Sequence, residues 1–103
     1  MNKIENAKID STMLGIEDHG IMTFMIYLGF DHASQGFGGY SLNGEACAIK
    51  GMADIQNILE VVGVNSWEKL PGKLIRVERE DSLSAGAKII KIGNIIEDKW
   101  FSF

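Results

Sequence analysis

A run of glycines and aromatic rings in the first half of the chain has the composition of a ligand-binding segment. It consists of Gly36, Phe37, Gly38, Gly39 and Tyr40. Closely spaced glycines let backbone N–H groups approach a phosphate, and flanking rings can stack on a base. The segment has neither the spacing of a dinucleotide-binding turn nor the lysine of a P-loop. Two interpretations are open: a nucleotide site, or a bulged strand in which glycine relieves crowding by a neighbouring aromatic side chain.

The only two arginines of the chain offer a clamp for an anion. Arg76 and Arg79 lie three residues apart in an alternating segment, so they point to opposite faces of one strand. A guanidinium fork binds phosphate or carboxylate groups, and we expect Arg76 to complete a ligand site with the glycine and aromatic run. The alternative is ion pairing with Glu78 or Glu80 on neighbouring strands.

Four aromatic residues in the second half are candidates for contacts with a protein partner. Trp67 stands alone, whereas Trp100, Phe101 and Phe103 crowd into the last four positions. Exposed aromatic clusters are typical of interfaces, where large rings become anchors. Rings of this size also close the end of a small core. The sequence leaves both interpretations open for this cluster.

The histidines, acidic residues and cysteine of the chain give little indication of a metal site or a catalytic site. The possible metal ligands lie in two turns: Glu17, Asp18, His19, Asp31 and His32. Zinc sites need three or four well-spaced ligands, and no HExxH or CxxC pattern occurs, so we interpret these as solvated turn residues. The single cysteine, Cys47, has no histidine near it in sequence and no nucleophile-elbow context, which favours a small apolar role. We expect no enzyme, no metal and no cofactor.

Composition and charge limit the classes of protein further. The 103 residues are 46% hydrophobic and 23% charged, which is typical of one globular domain covering residues 1–103. Ten Lys and Arg against fourteen Asp and Glu give a net charge of −4, the wrong sign for a general nucleic-acid binder. The polar start and the single cysteine predict no secretory signal and a reducing compartment. The longest apolar run, residues 21–30, is too short for a membrane helix.

Hydrophobic periodicity predicts the elements that position these residues. Period-two patterns and turn signals predict strands over residues 3–14, 21–28, 36–42, 73–80 and 87–96, with a bend or bulge at Gly15 and a flexible loop over 81–86. In the first strand, Ala7, Ile9, Ser11 and Met13 are predicted to share one face. Apolar residues at three- and four-residue spacing predict one helix over 52–62, which Gly63 ends.

The predicted order β-β-β-α-β-β indicates an α+β domain: a mostly antiparallel sheet of about five strands with one helix packed on it. A single helical turn, which Ser66 caps and Pro71 ends, follows the helix. The second strand is apolar on both faces, so it is either central in the sheet or covered by a second subunit. We expect a homo-oligomer built around this strand.

Five segments carry a resemblance that spans nearly the whole chain. They are residues 6–15 (NAKI and STMLG), 17–21 (EDHGI), 35–40 (QGFGGY), 61–73 (VVGV, WE and GK) and 92–101 (IGNIIEDKWF). Together they resemble small phage and prophage proteins of unassigned function. The resemblance supplies no residue roles. It implies an accessory factor that acts in the cytoplasm of the bacterial host, since small phage proteins of this kind often blunt bacterial defence.

Three functions are compatible with the resemblance and with a compact domain lacking catalytic motifs. The first is a non-enzymatic inhibitor that docks on a bacterial defence protein, as anti-CRISPR proteins do, through the rings of Trp67, Trp100, Phe101 and Phe103. The second is a sponge that sequesters a cyclic nucleotide or cyclic ADP-ribose signal at residues 37–40 and Arg76. The third is a minor virion or assembly protein. We rank docking first, because the glycine motif is only weakly specific.

Overall fold

Six strands form one antiparallel sheet, and a long helix packs against it. The computed structural model describes residues 2–31, 33–80 and 87–103. The strands are β1 (Lys3–Ile16), β2 (Met22–Gly29), β3 (Ser34–Ser41), β4 (Leu74–Arg79), β5 (Ile89–Gly93) and β6 (Trp100–Phe101), and the helix is α1 (Glu45–Val62). A 3₁₀ turn, Trp67–Lys69, follows α1. The predicted loop over 81–86 lies outside the described residues.

The strands lie in the order β3-β2-β1-β4-β5-β6, and every neighbouring pair is antiparallel. The predicted α+β class is confirmed, with six strands in place of about five. The additional strand is β6, in which two residues after the turn at 94–99 pair back onto β5. β2 lies between β1 and β3, so it is central in the sheet, which was one of the two interpretations of its apolar character. Its inner face is buried, whereas Tyr27 on its outer face is 41% exposed. The homo-oligomer stays a prediction.

A β-bulge in β1 separates two halves of that strand. Ile9 pairs with Leu28 and Ser11 pairs with Tyr27, so Asp10 is an extra residue in the ladder. The bulge exchanges the two faces of the strand beyond it. The prediction that Ala7, Ile9, Ser11 and Met13 share one face, with the irregularity at Gly15, is therefore wrong.

The sheet curls so that its two ends approach each other around the core. The ring centroids of Phe37 in β3 and Phe103 after β6 lie 4.6 Å apart, and Gln35 Nε2 donates to the Ala87 carbonyl at 3.1 Å. The helix closes the concave side. Its buried residues join those of the sheet in one cluster: Ala7, Ile9, Phe24, Ile26, Leu28, Phe37, Ile55, Ile58, Val61, Leu70, Ile75, Val77, Ile89, Ile92 and Phe101.

The helix ends as predicted and begins seven residues earlier. Gly63 adopts a left-handed conformation, and its N–H donates to the Leu59 carbonyl at 2.9 Å, which ends α1. The first two turns of α1 bury Gly51 and no large apolar side chain, so they lack the apolar periodicity on which the prediction depended. Leu42 occupies the space where a side chain at Gly51 would lie. Within the described residues no helix combines the length and the apolar character needed to cross a membrane.

Candidate functional site

The glycines of the predicted ligand segment have a packing role in β3. The Met25 side chain lies over the strand and leaves no room for a side chain at two of these glycines. A Cβ at Gly36 would lie 2.9 Å from Met25 Sδ, and a Cβ at Gly39 would lie 2.8 Å from Met25 Cε. Gly38 has φ of +119°, and a Cβ there would lie 2.9 Å from the Phe24 carbonyl oxygen. The ladder shifts register between the pairs Met25–Gly38 and Thr23–Ser41, so two residues of β3, Gly39 and Tyr40, lie opposite Phe24 alone and form a bulge in β3. Of the two interpretations of the glycines, a bulged and crowded strand fits this geometry, with methionine as the crowding side chain.

Arg76 does not join residues 37–40 in one site. It lies in β4, three strand positions from β3, or about 14 Å along the sheet. Its side chain points away from the core face on which its neighbours Ile75 and Val77 are buried. The guanidinium donates to the carbonyls of Asn94 at 2.7 Å and Glu97 at 2.8 Å. Arg76 therefore orders the turn before β6.

Arg79 points to the opposite face, as predicted. Its guanidinium contacts Glu5 at 2.8 Å and lies 4.3 Å from the centre of the Phe30 ring. Nη1 also donates to Gln35 Oε1 at 3.4 Å. Within the part of the chain that the structure describes, the ion pair of Arg79 is with Glu5 on β1 and not with Glu78 or Glu80. This cluster lies at the end of the sheet where β3 and β4 converge.

The aromatic residues near the end of the chain divide between the two faces of the sheet. Trp100 lies on the outer face, between the Arg76 guanidinium at 4.7 Å and the Lys91 ammonium at 4.8 Å. Phe101 points inward and is a buried member of the core. Phe103 is on the inner side but stays 37% exposed. Phe101 therefore belongs to the core, and the contact of Trp100 and Phe103 with a protein partner stays a prediction.

Phe103 is the centre of an aromatic cluster that unites the two predicted sites. Its ring centroid lies 4.6 Å from that of Phe37, 4.8 Å from Tyr40, 5.2 Å from Phe101 and 6.0 Å from Phe24. Aromatic pairs at these separations stabilise each other beyond the area they bury. The glycine and aromatic run of residues 36–40 and the aromatic tail, predicted as separate sites, therefore meet at Tyr40 and Phe103.

Trp67 lies apart from the exposed rings. It is half-buried and packs edge-on against Phe24, with the ring centroids 5.8 Å apart. Its Nε1 atom is buried without a hydrogen-bond partner among the described residues. Trp67 therefore supports the core beneath Phe24.

A cleft of about 430 Å³ opens beside the aromatic cluster, between β3 and the first half of α1. Its exposed wall is Tyr40, which is 59% exposed, and Phe103. The remaining lining comes from the floor, the β3–α1 connection and the helix: Phe24, Ser41, Leu42, Cys47, Lys50, Gly51 and Asp54. Most of this lining is apolar, which is typical of sites that take an apolar group. Gly51 keeps the helix close to Leu42.

The charges at the cleft neutralise each other. Lys50 Nζ contacts Asp54 Oδ2 at 3.0 Å, one helical turn along α1. The Cys47 thiol is free and exposed at the same mouth. A site with one paired cation gives little attraction to a multiply charged anion. The arrangement suits a neutral, apolar occupant.

Comparison of the chain with protein-family models, with curated proteins and with solved structures found no match. The resemblance to phage proteins therefore stays a prediction. The cleft was not predicted from the sequence, because Leu42, Gly51 and the Lys50–Asp54 pair approach Tyr40 only through folding. The one available signal was the i, i+4 spacing of Lys50 and Asp54, which is typical of a helical ion pair.

The turn at 17–20 contains Glu17, whose carboxyl pKa is lowered. Glu17 accepts hydrogen bonds from the backbone N–H groups of His19 at 2.7 Å and Ile21 at 3.2 Å, and His19 Nδ1 lies 2.8 Å from Glu17 Oε2. The His19 ring is the main cause that lowers the pKa of the Glu17 carboxyl. Across the described ranges, no group of three or more His, Cys, Asp or Glu side chains could hold a metal ion. His32 lies outside those ranges.

Proposed function

We propose that this protein is a non-enzymatic binding protein that docks on a protein partner by admitting an apolar side chain into the cleft between β3 and α1. The observation that carries the proposal is the cleft itself, about 430 Å³ in volume and lined mostly by apolar and aromatic groups. Tyr40 and Phe103 leave large ring surfaces exposed at its mouth. Aromatic anchors beside an apolar pocket are typical of the energetic centres of protein interfaces.

The charge pattern favours a protein partner over a nucleotide. The cation of the cleft, Lys50, is paired with Asp54, and Arg76 lies on the other face of the sheet. The overall charge of −4 adds repulsion toward phosphates. An apolar side chain needs no compensating charge, and its burial against these rings is favourable.

The class of partner follows from the resemblance to phage proteins. A docking protein encoded by a phage acts inside the bacterial host, and bacterial defence proteins are the first class of partner to test. Inhibition would follow if docking covers a working surface of the defence protein. The function as an antagonist of bacterial defence is part of the proposal.

A nucleotide sponge is the second candidate. The exposed rings of Tyr40 and Phe103, whose centroids lie 4.8 Å apart, provide surfaces on which a base can stack. The ligand would have to bind without an arginine clamp. A cyclic nucleotide or cyclic ADP-ribose released on heating the purified protein would support this candidate.

Site-specific photo-crosslinking tests the docking proposal directly. Benzoylphenylalanine is placed at Tyr40 or at Tyr27, and the two variants are produced in bacteria with active defence systems. Tyr27 is the matched control, because it is also exposed, at 41%, but pairs with Gly36 and Ser11 outside the cleft. We expect position 40 to form an adduct with one host protein and position 27 to form none. No adduct at position 40, or the same adduct at both positions, would contradict the proposal.

A further inference from the structure

A second groove of about 490 Å³ lies between the edge of β3 and the start of β5. Its walls include Gln35 to Gly38 on one side and Ile89 and Ile90 on the other, and Phe103 lines its inner end. β6 pairs only with Ile92 and Gly93, so in the described part of the chain no strand covers Ile89 and Ile90. Among the described residues, the edge of β3 and the start of β5 therefore face each other with no strand between them.

On the β3 side of this groove, outward-pointing backbone groups have no hydrogen-bond partner in the backbone of the described residues. Phe30 donates to the Ala33 carbonyl at 2.7 Å, which fixes the alternation of the ladder between β2 and β3. Gln35 and Phe37 therefore bond to β2, whereas the N–H and C=O groups of Ser34 and Gly36 point outward. Among the backbone hydrogen bonds between described residues, none involves these outward groups. An edge of this kind is a template for another strand.

β3 also lacks the usual side-chain protection of an edge. Ser34–Ser41 contains no charged residue and no proline, and its protection is the bulge near Gly38. Of the described residues that line the groove, the charged ones are Glu80 and Lys88, one of each sign, at its outer end. The middle of the groove is uncharged, with the Phe37 and Phe103 rings beneath it. This combination fits a short neutral polypeptide segment with apolar side chains at alternate positions.

We propose that the groove binds an extended segment of a partner polypeptide as an added strand, antiparallel to both β3 and β5. β3 and β5 run in the same direction, because an even number of antiparallel steps separates them in the sheet. One strand antiparallel to both can therefore bond to each. A second copy of this chain that paired through β3 would bring its own β2 into the groove as well, whereas one extended segment is enough to bond to both walls. The inference does not rest on the cleft beside α1.

Peptide selection followed by hydrogen exchange tests the added strand. A displayed library of seven-residue peptides is panned against the full chain, and the best binder is synthesised. We expect the bound peptide to slow amide exchange at Ser34 and Gly36 by at least tenfold. Gln35 and Phe37 are the internal controls, because their amides already bond to β2. A binder that leaves Ser34 and Gly36 unchanged, or a panel that yields no binder, would overturn the proposal.

Matched variants separate backbone pairing from side-chain contact. Ser34→Pro removes an outward N–H and should weaken peptide binding at least tenfold, whereas Ser34→Ala keeps the N–H and should bind within twofold of the wild type. If Ser34→Pro does not fold, a peptide methylated at alternate backbone nitrogens makes the same test on the wild-type protein. An N-methylated peptide that binds as well as the parent would overturn the proposal. Concentration-dependent protection of Ser34 and Gly36 without peptide would identify a second copy as the occupant and also overturn it.

Leu42→Ala distinguishes failure of this inference from failure of the proposed function. Leu42 lines the cleft beside α1 and takes no part in the groove between β3 and β5. We expect this variant to keep peptide-induced protection at Ser34 and Gly36. Loss of that protection would show that the peptide binds in the cleft and not as an added strand.

Discussion

Gly93 and Trp100 form a pair in which the absence of one side chain makes room for another. They are directly opposite each other in the ladder between β5 and β6. A Cβ at Gly93 would lie 2.5 Å from the Trp100 ring. The ring also lies between Arg76 and Lys91, and its Nε1 donates to Asp98 at 2.9 Å. Trp100 therefore has little freedom to move aside.

Gly93→Ala should destabilise the protein, because the added methyl group displaces a ring that is held on several sides. Overpacking of this kind costs about 1 to 3 kcal/mol in the free energy of unfolding. Gly15→Ala is the control, since the nearest atom to a Cβ there is 3.9 Å away. Urea denaturation of both variants measures the difference. Equal stability of Gly93→Ala and Gly15→Ala would show that the Trp100 ring can shift.

The β1–β2 turn is the element whose stability depends on pH through Glu17. The pKa of this carboxyl is lowered, first by the His19 ring and then by the backbone N–H groups of Ile21 and His19, against partial desolvation. A lowered pKa in the folded state means that ionised Glu17 stabilises the fold above its ordinary pKa. That contribution is lost as the pH falls through the lowered pKa.

Glu17→Gln should make the stability of the turn less dependent on pH in the acid range. We expect the wild type to lose protection of the Ile21 amide as the pH falls below the usual glutamate range, and the variant to show a smaller change. Amide chemical shifts of His19 and Ile21 measured across that pH range report the titration. A wild-type Glu17 that titrates at or above its ordinary pKa would contradict the assigned hydrogen bonds. Glu60→Gln is a control, because Glu60 lies on α1 away from this turn.

Element boundaries were predictable where a residue decides them locally. The end of α1 follows from the periodic apolar residues and from Gly63, whose left-handed conformation needs no neighbour in space. The start of α1 was missed because Gly51 is buried against Leu42, a contact that only the folded chain creates. The β1 bulge was missed for the same reason, since Asp10 is the extra residue only in relation to β2.

The candidate site was predictable residue by residue but not as an arrangement. Residues 37–40 and Phe103 were each selected as aromatic or glycine-rich, and the structure brings Phe37, Tyr40 and Phe103 together. Arg76 was assigned to the same site because a guanidinium can bind phosphate. The sequence does not show that β2 and β1 lie between β3 and β4 in the sheet. Phe101 follows Trp100 directly and therefore points to the opposite face of β6, so its burial follows once β6 pairs with β5.

At the scale of the whole molecule, the curl of the sheet produces both candidate binding surfaces. It brings β3 toward β5 and β6, and Phe103 lies in the region where they meet. The cleft opens on the α1 side of this contact and the groove opens on the β5 side, with Tyr40 and Phe103 lining both. The uncharged β3 and the paired Lys50 and Asp54 make both surfaces suited to neutral polypeptide groups.

The binding affinity of the partner captured at position 40 tests the central claim, that the cleft is the docking site. Calorimetric titration would compare the wild type with Tyr40→Ala, Tyr27→Ala and Leu42→Ala. Tyr40 lines both the cleft and the groove, whereas Leu42 lines the cleft alone, so weaker binding of Leu42→Ala assigns the effect to the cleft. Loss of an interface anchor costs about 1.4 kcal/mol or more, which is a tenfold change in Kd. We predict at least tenfold weaker binding for Tyr40→Ala and a change within twofold for Tyr27→Ala. Equal affinity of Tyr40→Ala and the wild type would contradict docking through the cleft.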